Sequence, residues 1–160
     1  MSTALDARIR SGVRGDLPAV LMLLQGGGLP TADVAEKQTL RMWVLEAGDS
    51  LLGVVALERS TALLRSLAIA PEQRNQGFGR HLVVRLERDA RTDGIKRLVL
   101  LTETAEAFFA RLSYEVIDRG RLSEELRQSD EFRWLCPVSA VCMSKSLAAP
   151  AAVTHDRPAL

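Results

Sequence analysis

A chain of 160 residues that is 47% apolar and 26% charged has the size and composition of one ordinary domain with a core of its own. A formal charge of +1 without a basic block argues against a nucleic-acid surface, and the apolar runs fall far short of a membrane span. Two cysteines, Cys136 and Cys142, with no histidine cluster, argue against a disulfide framework or a metal site; residues 1–10 lack the apolar stretch and cleavage site of a secretory leader, so the expected compartment is a reducing cytoplasm.

In chain order, residues 9–13 form the first expected strand. Asp16-Leu17-Pro18 reads as a helix start, with Asp16 as N-cap and Pro18 in the first turn. Leu17, Val20, Leu21 and Leu24 then give an apolar stripe at helical spacing, which Gly26-Gly27-Gly28 stops. Residues 26–33 are either a plain linker or a mobile wall of a binding site. Residues 41–47 and 51–58 are strand-like runs joined by a hairpin signal at Gly48-Asp49-Ser50, and residues 61–69 follow as a third antiparallel strand.

A helix is expected over 79–92, with Leu82, Val83, Leu86 and Ala90 inward. Arg85, Glu87, Arg88 and Arg91 are expected to face water, and Glu87 is spaced to pair with Arg91. Residues 97–102 read as a strand with an unbroken apolar centre. A strand, a helix and a strand imply that Leu67 and Leu100 lie on parallel neighbours. A helix over 104–112, a short strand over 115–118, a helix over 123–128 and a last strand over 138–145 complete one domain, 1–147. Residues 148–160 hold small residues and two prolines and are expected to be a poorly ordered tail. The element order is that of an α+β or mixed α/β sheet domain.

The segment from Leu63 to Arg80 is the best functional signal. Pro71 ends an apolar strand because it has no N–H to give a ladder. Gly77 and Gly79 follow at the start of a helix, where the first N–H groups have no partner inside that helix. Such donors, backed by the helix dipole and flanked by Arg74 and Arg80, make a site suited to phosphate. The alternative is a helix-capping turn with no ligand.

Arg74-Asn75-Gln76-Gly77-Phe78-Gly79, preceded by Leu67-Ala68-Ile69-Ala70-Pro71-Glu72, resembles the acyl-CoA signature of the GNAT N-acetyltransferase superfamily. The resemblance implies a GNAT-like fold, acetyl-CoA as donor and an amine as acceptor. A pantetheine arm would pair with the main chain of Leu67, Ala68 and Ile69 like a short added strand. The pyrophosphate would fall on Asn75, Gln76, Gly77, Phe78, Gly79 and Arg80, beside Arg74. In such a fold the connection over 26–33 lines the acceptor pocket. Leu64-Arg65-Ser66-Leu67, the run from Thr104 to Leu112 and the run from Leu135 to Met143 further resemble a GNAT branch found with arsenic-resistance determinants. That resemblance implies a small, amino-acid-like toxic acceptor, an arsenical among the candidates.

Acetyl transfer needs a neutral amine, a polarised carbonyl and a proton for the departing thiolate. A backbone N–H at Ile69 is the expected polarising donor. Among Glu46, Glu58, Glu103 and Glu106, Glu103 is favoured as general base because it follows the strand that flanks the cofactor; each is otherwise a solvated carboxylate. The family pattern Asn, two residues, Ala, three residues, Tyr is represented here by Thr102, Ala105 and Phe109. Thr102 is expected on the substrate side, but a phenyl ring at Phe109 donates no proton. Another donor, water or unassisted departure takes the place of the tyrosine. Tyr114 reads as a core aromatic with a wet hydroxyl.

Arg65 shares pleat parity with Leu67 and Ile69, and either pairs with an acidic substrate group or forms a structural ion pair. Cys136 either touches the substrate as a soft thiol or packs as a small hydrophobe. His81 either approaches a CoA phosphate or is a solvated helix residue. Three readings follow: an N-acetyltransferase of small amines, one of protein N-termini or lysines, and a non-catalytic acyl-CoA-binding module. A homodimer is compatible with each.

Overall fold

Strands of alternating character joined by tight turns build the sheet, and helices cover it where the alternation leaves an apolar face. The computed structural model describes residues 6–32, 34, 40–128 and 139–148. In order, the elements are β1 (Ala7–Ser11), α1 (Leu17–Gly26), β2 (Leu40–Ala47), β3 (Ser50–Glu58), β4 (Leu63–Ile69), α2 (Phe78–Thr92), β5 (Arg97–Thr102), α3 (Glu106–Arg111), β6 (Glu115–Val116), α4 (Glu124–Arg127) and β7 (Val141–Ser146). They form a seven-stranded sheet in the order β1-β2-β3-β4-β5-β7-β6. Every neighbouring pair is antiparallel except β4 and β5, which run parallel on either side of the α2 crossover. This is a mixed α/β fold with helices flanking a central sheet, as the element order implies.

Residues of β4 and β5 alternate between two apolar layers. Leu64, Leu98 and Leu100 meet Leu82, Val83, Leu86 and Ala90 of α2, together with Trp43, Phe109 and Met143. On the other face Val20 and Leu24 of α1 pack on Val44, Val54 and Ala68, and Leu126 of α4, with Leu122 just before it, packs on Leu63 and Cys142. One face therefore carries α2 and α3, and the opposite face carries α1 and α4.

Several expectations change. Strand β1 begins at Ala7, two residues ahead of the expected start, and Gly12 N–H still bonds Met42 O at 2.7 Å beyond its end. Asp16 precedes α1 but does not cap it with its side chain. Its carboxylate instead accepts from Val13 N–H at 2.8 Å and from Arg10 Nη1 and Nη2, each at 2.9 Å. The expected tail, apart from Ala148, and the expected strand start at Val138 lie outside the described residues.

The largest correction concerns Glu87, expected to face water and to pair with Arg91. It is 3% exposed. Tyr114 Oη donates to its Oε2 at 2.8 Å, and Lys145 Nζ donates to both of its carboxylate oxygens, at 3.0 and 3.1 Å. Arg91 Nε donates to Leu147 O instead. The Tyr114 hydroxyl is therefore not wet: burial, with the Glu87 charge beside it, pushes it far above the ordinary phenol range. Helical spacing places residue 87 in line with Val83 and Ala90, so the carboxylate enters the core edge already oriented toward its two donors.

Removing Glu87 strands a half-buried ammonium and a buried hydroxyl. We expect Glu87→Ala to lower unfolding free energy by roughly 3 kcal/mol in urea titrations, and Tyr114→Phe by roughly 1 kcal/mol. A second expectation concerns acid. The Arg10 hydrogen bonds hold Asp16 below the ordinary carboxylate range, and those of Arg8 and Arg10 do the same for Glu46. Burial opposes ionisation of Asp89, yet donors from Trp43 and Arg85 hold it low as well. A carboxyl whose folded-state pKa is depressed contributes stability above its unfolded value and loses it as pH falls toward the folded one. Stability should therefore be level from about pH 5 to neutrality and fall below about pH 4, and Asp89→Asn should flatten that fall in acid-denaturation curves.

Candidate functional site

The site begins where β4 and β5 part. Their ladder contains one partnered pair, Leu63 with Val99. Beyond it the strands diverge, and Arg65 to Ile69 on one side and Leu100 to Thr102 on the other line a cleft of about 880 Å³. Strand β4 stays paired with β3 along its other edge, except at a bulge where the register slips between Val54 and Ala56. Ser66 takes up the extra residue with φ of 60°. Ala70 N–H donates to Leu52 O on β3 at 2.8 Å. By antiparallel alternation, the N–H and C=O of Ile69 then project from the opposite edge, into the gap left by β5. Arg74 Nε donates to that Ile69 carbonyl at 3.1 Å.

The bulge also overturns the expected pleat parity of Arg65. An additional residue between it and Leu67 puts Leu64, not Arg65, on the α2 face with Leu67 and Ile69. Arg65 follows Leu63 onto the face of α1 and α4. There it is 5% exposed, lines the cleft and donates from Nε to Ser66 Oγ at 3.2 Å.

After Pro71 the chain makes one 3-10 turn and then two left-handed steps, Asn75 at φ 63° and Gly77 at φ 85°. Such steps turn successive main-chain N–H groups toward one point. Gly77 is the N-cap of α2, and no side chain caps the helix. The first bond within α2 runs from His81 N–H to Gly77 O at 3.1 Å, so Phe78, Gly79 and Arg80 N–H precede the ladder. A Cβ at Gly77 would meet nothing within 4 Å, which leaves the mouth of the helix open. One at Gly79 would lie 3.3 Å from Phe108 Cζ of α3. Arg74 and Arg80 line the same mouth.

Of the expected cofactor contacts, Leu67, Ala68, Ile69, Arg74, Asn75, Gly77, Phe78, Gly79 and Arg80 come together around the cleft; Gln76 does not line it. The Gln76 amide leans back toward Gln73 Oε1 at 3.4 Å. Thr102 lines the cleft at the end of β5 and accepts Ala105 N–H at 2.9 Å. Glu103, expected as base, is not brought into the cleft: it is exposed and its Oε2 accepts from Ser139 Oγ at 2.9 Å. Cys136 lies outside the described residues. Lining residues that sequence reasoning did not single out include Ser66, Leu29, Phe108 and Arg111. A bulge leaves no compositional signal, whereas the helical spacing of Phe108 and Arg111 was readable.

The arrangement suits a long acyl carrier with anionic groups at one end. It offers an uncapped helix mouth for a diphosphate, an unpaired strand edge for amides, and space beside Arg65 for a second reactant. This fit to coenzyme A rests on the open Gly77 position and the projecting Ile69 groups. Fold and site together define an acyl-CoA-dependent transferase.

The family model described as an acetyltransferase (GNAT) domain matches residues 30–128, and the chain belongs to that family. It is an acetyltransferase, and acetyl-CoA is its acyl donor. No curated protein sequence matches it. Among solved structures, it is similar to N-acetylglutamate synthase from Neisseria gonorrhoeae complexed with coenzyme A and N-acetyl-glutamate, at TM-score 0.73 and 21% identity. That match covers 92% of this chain but only 37% of the synthase. It is similar to a Mycobacterium tuberculosis protein in complex with CoA, at TM-score 0.73 and 23% identity over 88% of this chain and 99% of that one. The ribosomal-protein-S18-alanine N-acetyltransferase from Escherichia coli follows at TM-score 0.66 and 16% identity, covering 90% of this chain and 96% of that one. At these identities the likenesses show the fold.

A side chain at residue 77 would strain a left-handed backbone and crowd the helix mouth. We expect Gly77→Val to weaken coenzyme A binding at least tenfold, or about 1.4 kcal/mol, by calorimetry; unchanged affinity would remove the diphosphate from this loop.

Proposed function

We propose that the protein transfers the acetyl group of acetyl-CoA to the amine of a small acidic, amino-acid-like acceptor. One observation carries this reading. The acceptor side of the cleft holds the buried guanidinium of Arg65, and the described lining residues include no aspartate or glutamate. A planar guanidinium matches a carboxylate, or the oxyanion of an arsenical amino acid, in a two-point grip. The resemblance to the arsenic-associated branch and the fold shared with a synthase complexed with N-acetyl-glutamate support the same class.

The residues divide the work as follows. Asn75 to Arg80 N–H groups and Arg74 hold the diphosphate. Ile69 C=O takes an amide N–H of the pantetheine arm, and Ile69 N–H polarises the thioester carbonyl. Arg65 and Thr102 orient the acceptor. Glu103 accepts the first amine proton through intervening water, since its exposed carboxylate does not line the cleft. We read the enzyme as a single domain over residues 1–147, cytoplasmic and capable of forming a homodimer. Among the described residues no helix is long and apolar enough to cross a membrane.

A thiol-release assay with L-glutamate, L-glutamine, a simple alkylamine and a peptide with a free N-terminus tests the acceptor class. We expect L-glutamate and its arsenic-bearing analogues to be preferred. Arg65→Ala should raise KM for the acidic acceptor at least tenfold, about 1.4 kcal/mol, with coenzyme A affinity unchanged. Preference for the peptide, or an acidic acceptor indifferent to Arg65, would overturn the assignment.

A further inference from the structure

The cleft poses a proton problem. Breaking the C–S bond requires that a proton leave the positively charged nitrogen of the tetrahedral intermediate and that one reach the sulfur. Phe109 fills the tyrosine position of the family pattern, and Tyr114 is buried with its hydroxyl committed to Glu87. No aspartate, glutamate, histidine, cysteine or tyrosine stands among the described residues that line the cleft. The lining hydroxyls are those of Ser66, Thr102 and Thr104. Thr102 ends β5 and Thr104 follows it, both on the wall of the cleft opposite β4, and Thr102 Oγ1 accepts from Ala105 N–H. Ser66 alone among them stands on β4, the strand that carries the projecting Ile69 groups.

Ser66 is also held in an uncommon way. It adopts φ of 60° as the extra residue of the bulge, a conformation that costs a non-glycine residue energy and persists only where its surroundings enforce it. The buried Arg65 donates to its Oγ at 3.2 Å. A hydroxyl has one hydrogen and two lone pairs. Filling one lone pair from Arg65 leaves one acceptor site and the hydrogen for reactants in the cleft.

We propose that Ser66 is the proton relay of acetyl transfer. The inference rests on the acyl-transfer reading above and adds a group to it. Nitrogen and sulfur are bonded to the same carbon in the tetrahedral intermediate, so one hydroxyl spans both. Ser66 Oγ takes the proton of the N–H as its own hydrogen passes to sulfur. The C–S bond breaks with its electron pair going to sulfur, the carbonyl re-forms, and Ser66 ends as the neutral hydroxyl it was. Arg65 acts on this step as a positioning residue, by fixing the orientation of that hydroxyl.

The test uses the full chain with two variants. Ser66→Ala removes the hydroxyl, and Ser66→Gly removes it while favouring the left-handed backbone, so a folding defect in the first does not leave the question open. In single-turnover experiments with acetyl-CoA and the fastest acceptor of the panel above, both should lose about a hundredfold in rate with coenzyme A affinity retained. Ser66→Cys, which keeps a proton on the side chain, should recover part of that loss. A second readout needs no turnover. With coenzyme A bound, the ultraviolet thiolate band, taken as a difference from the free protein, should titrate at lower pH in the wild type than in Ser66→Ala, because the hydroxyl donates to the sulfur. Unchanged transfer rates in both variants, or superimposable thiolate titrations, would overturn the relay. If the wild type acetylates no acceptor in the panel, the acceptor assignment fails, and the titration with coenzyme A alone still decides the role of Ser66.

Discussion

The divergence of two parallel strands after a single bonded pair is the constraint on which the rest depends. Leu63 and Val99 hold β4 and β5 together at one end, and the chain spends its remaining architecture on keeping them apart at the other. Strand β3 secures β4 on one side and β7 secures β5 on the other, so each arm of the fork is anchored independently. Helix α2 starts at the open end and packs its apolar stripe over the sheet. Its uncapped N-terminus thereby faces the same gap as the Ile69 groups. The open helix mouth, the unpaired strand edge and the cleft between them are three consequences of one fork.

Behind the fork, α2, the turn after α3 and β7 are tied by the Glu87 carboxylate and its two donors, Tyr114 and Lys145. Tyr114 stands edge-on to Phe109 with ring centroids 5.4 Å apart, and Phe109 stands edge-on to Phe108 at 5.0 Å. Phe108 in turn closes on Gly79. A run of packed rings thus connects a buried ion pair to the mouth of α2. Phenylalanine at position 109 has its own logic here: the ring is 4% exposed and belongs to the core, while the nearby phenol serves the ion pair.

Most of the fold was legible because its signals are local. Hydrophobic alternation, the Gly48-Asp49 turn, the stripe of Leu82, Val83, Leu86 and Ala90, and the punctuation at Pro71 and Gly77 each act within a few residues. The glycine turn and the uncapped start of α2 were readable for the same reason. The errors came from non-local effects. Pleat parity fails for Arg65 because a bulge inserts a residue, and a serine at positive φ carries no sign of it in the sequence. Glu87 was assigned to water by residue type although its spacing from Val83 and Ala90 put it on the inward face; its donors come from elements 27 and 58 residues away. Glu103 was chosen for its place after β5, which says nothing of where its side chain turns. Ser139, its partner, lies 36 residues on.

The open edge of β4 has a consequence for solubility. Bare strand donors and acceptors normally invite another chain to add itself, and proteins blunt outer edges with short or charged strands. Here β6 is two residues long and β1 carries Arg8 and Arg10 in ion pairs with Glu46. The edge inside the fork needs a different guard, because it must stay receptive. It lies between β3-anchored β4 and β7-anchored β5, and Arg74 Nε donates to the Ile69 carbonyl. Recessing an open edge inside the sheet is a guard against strand addition that needs neither a shortened nor a charged strand.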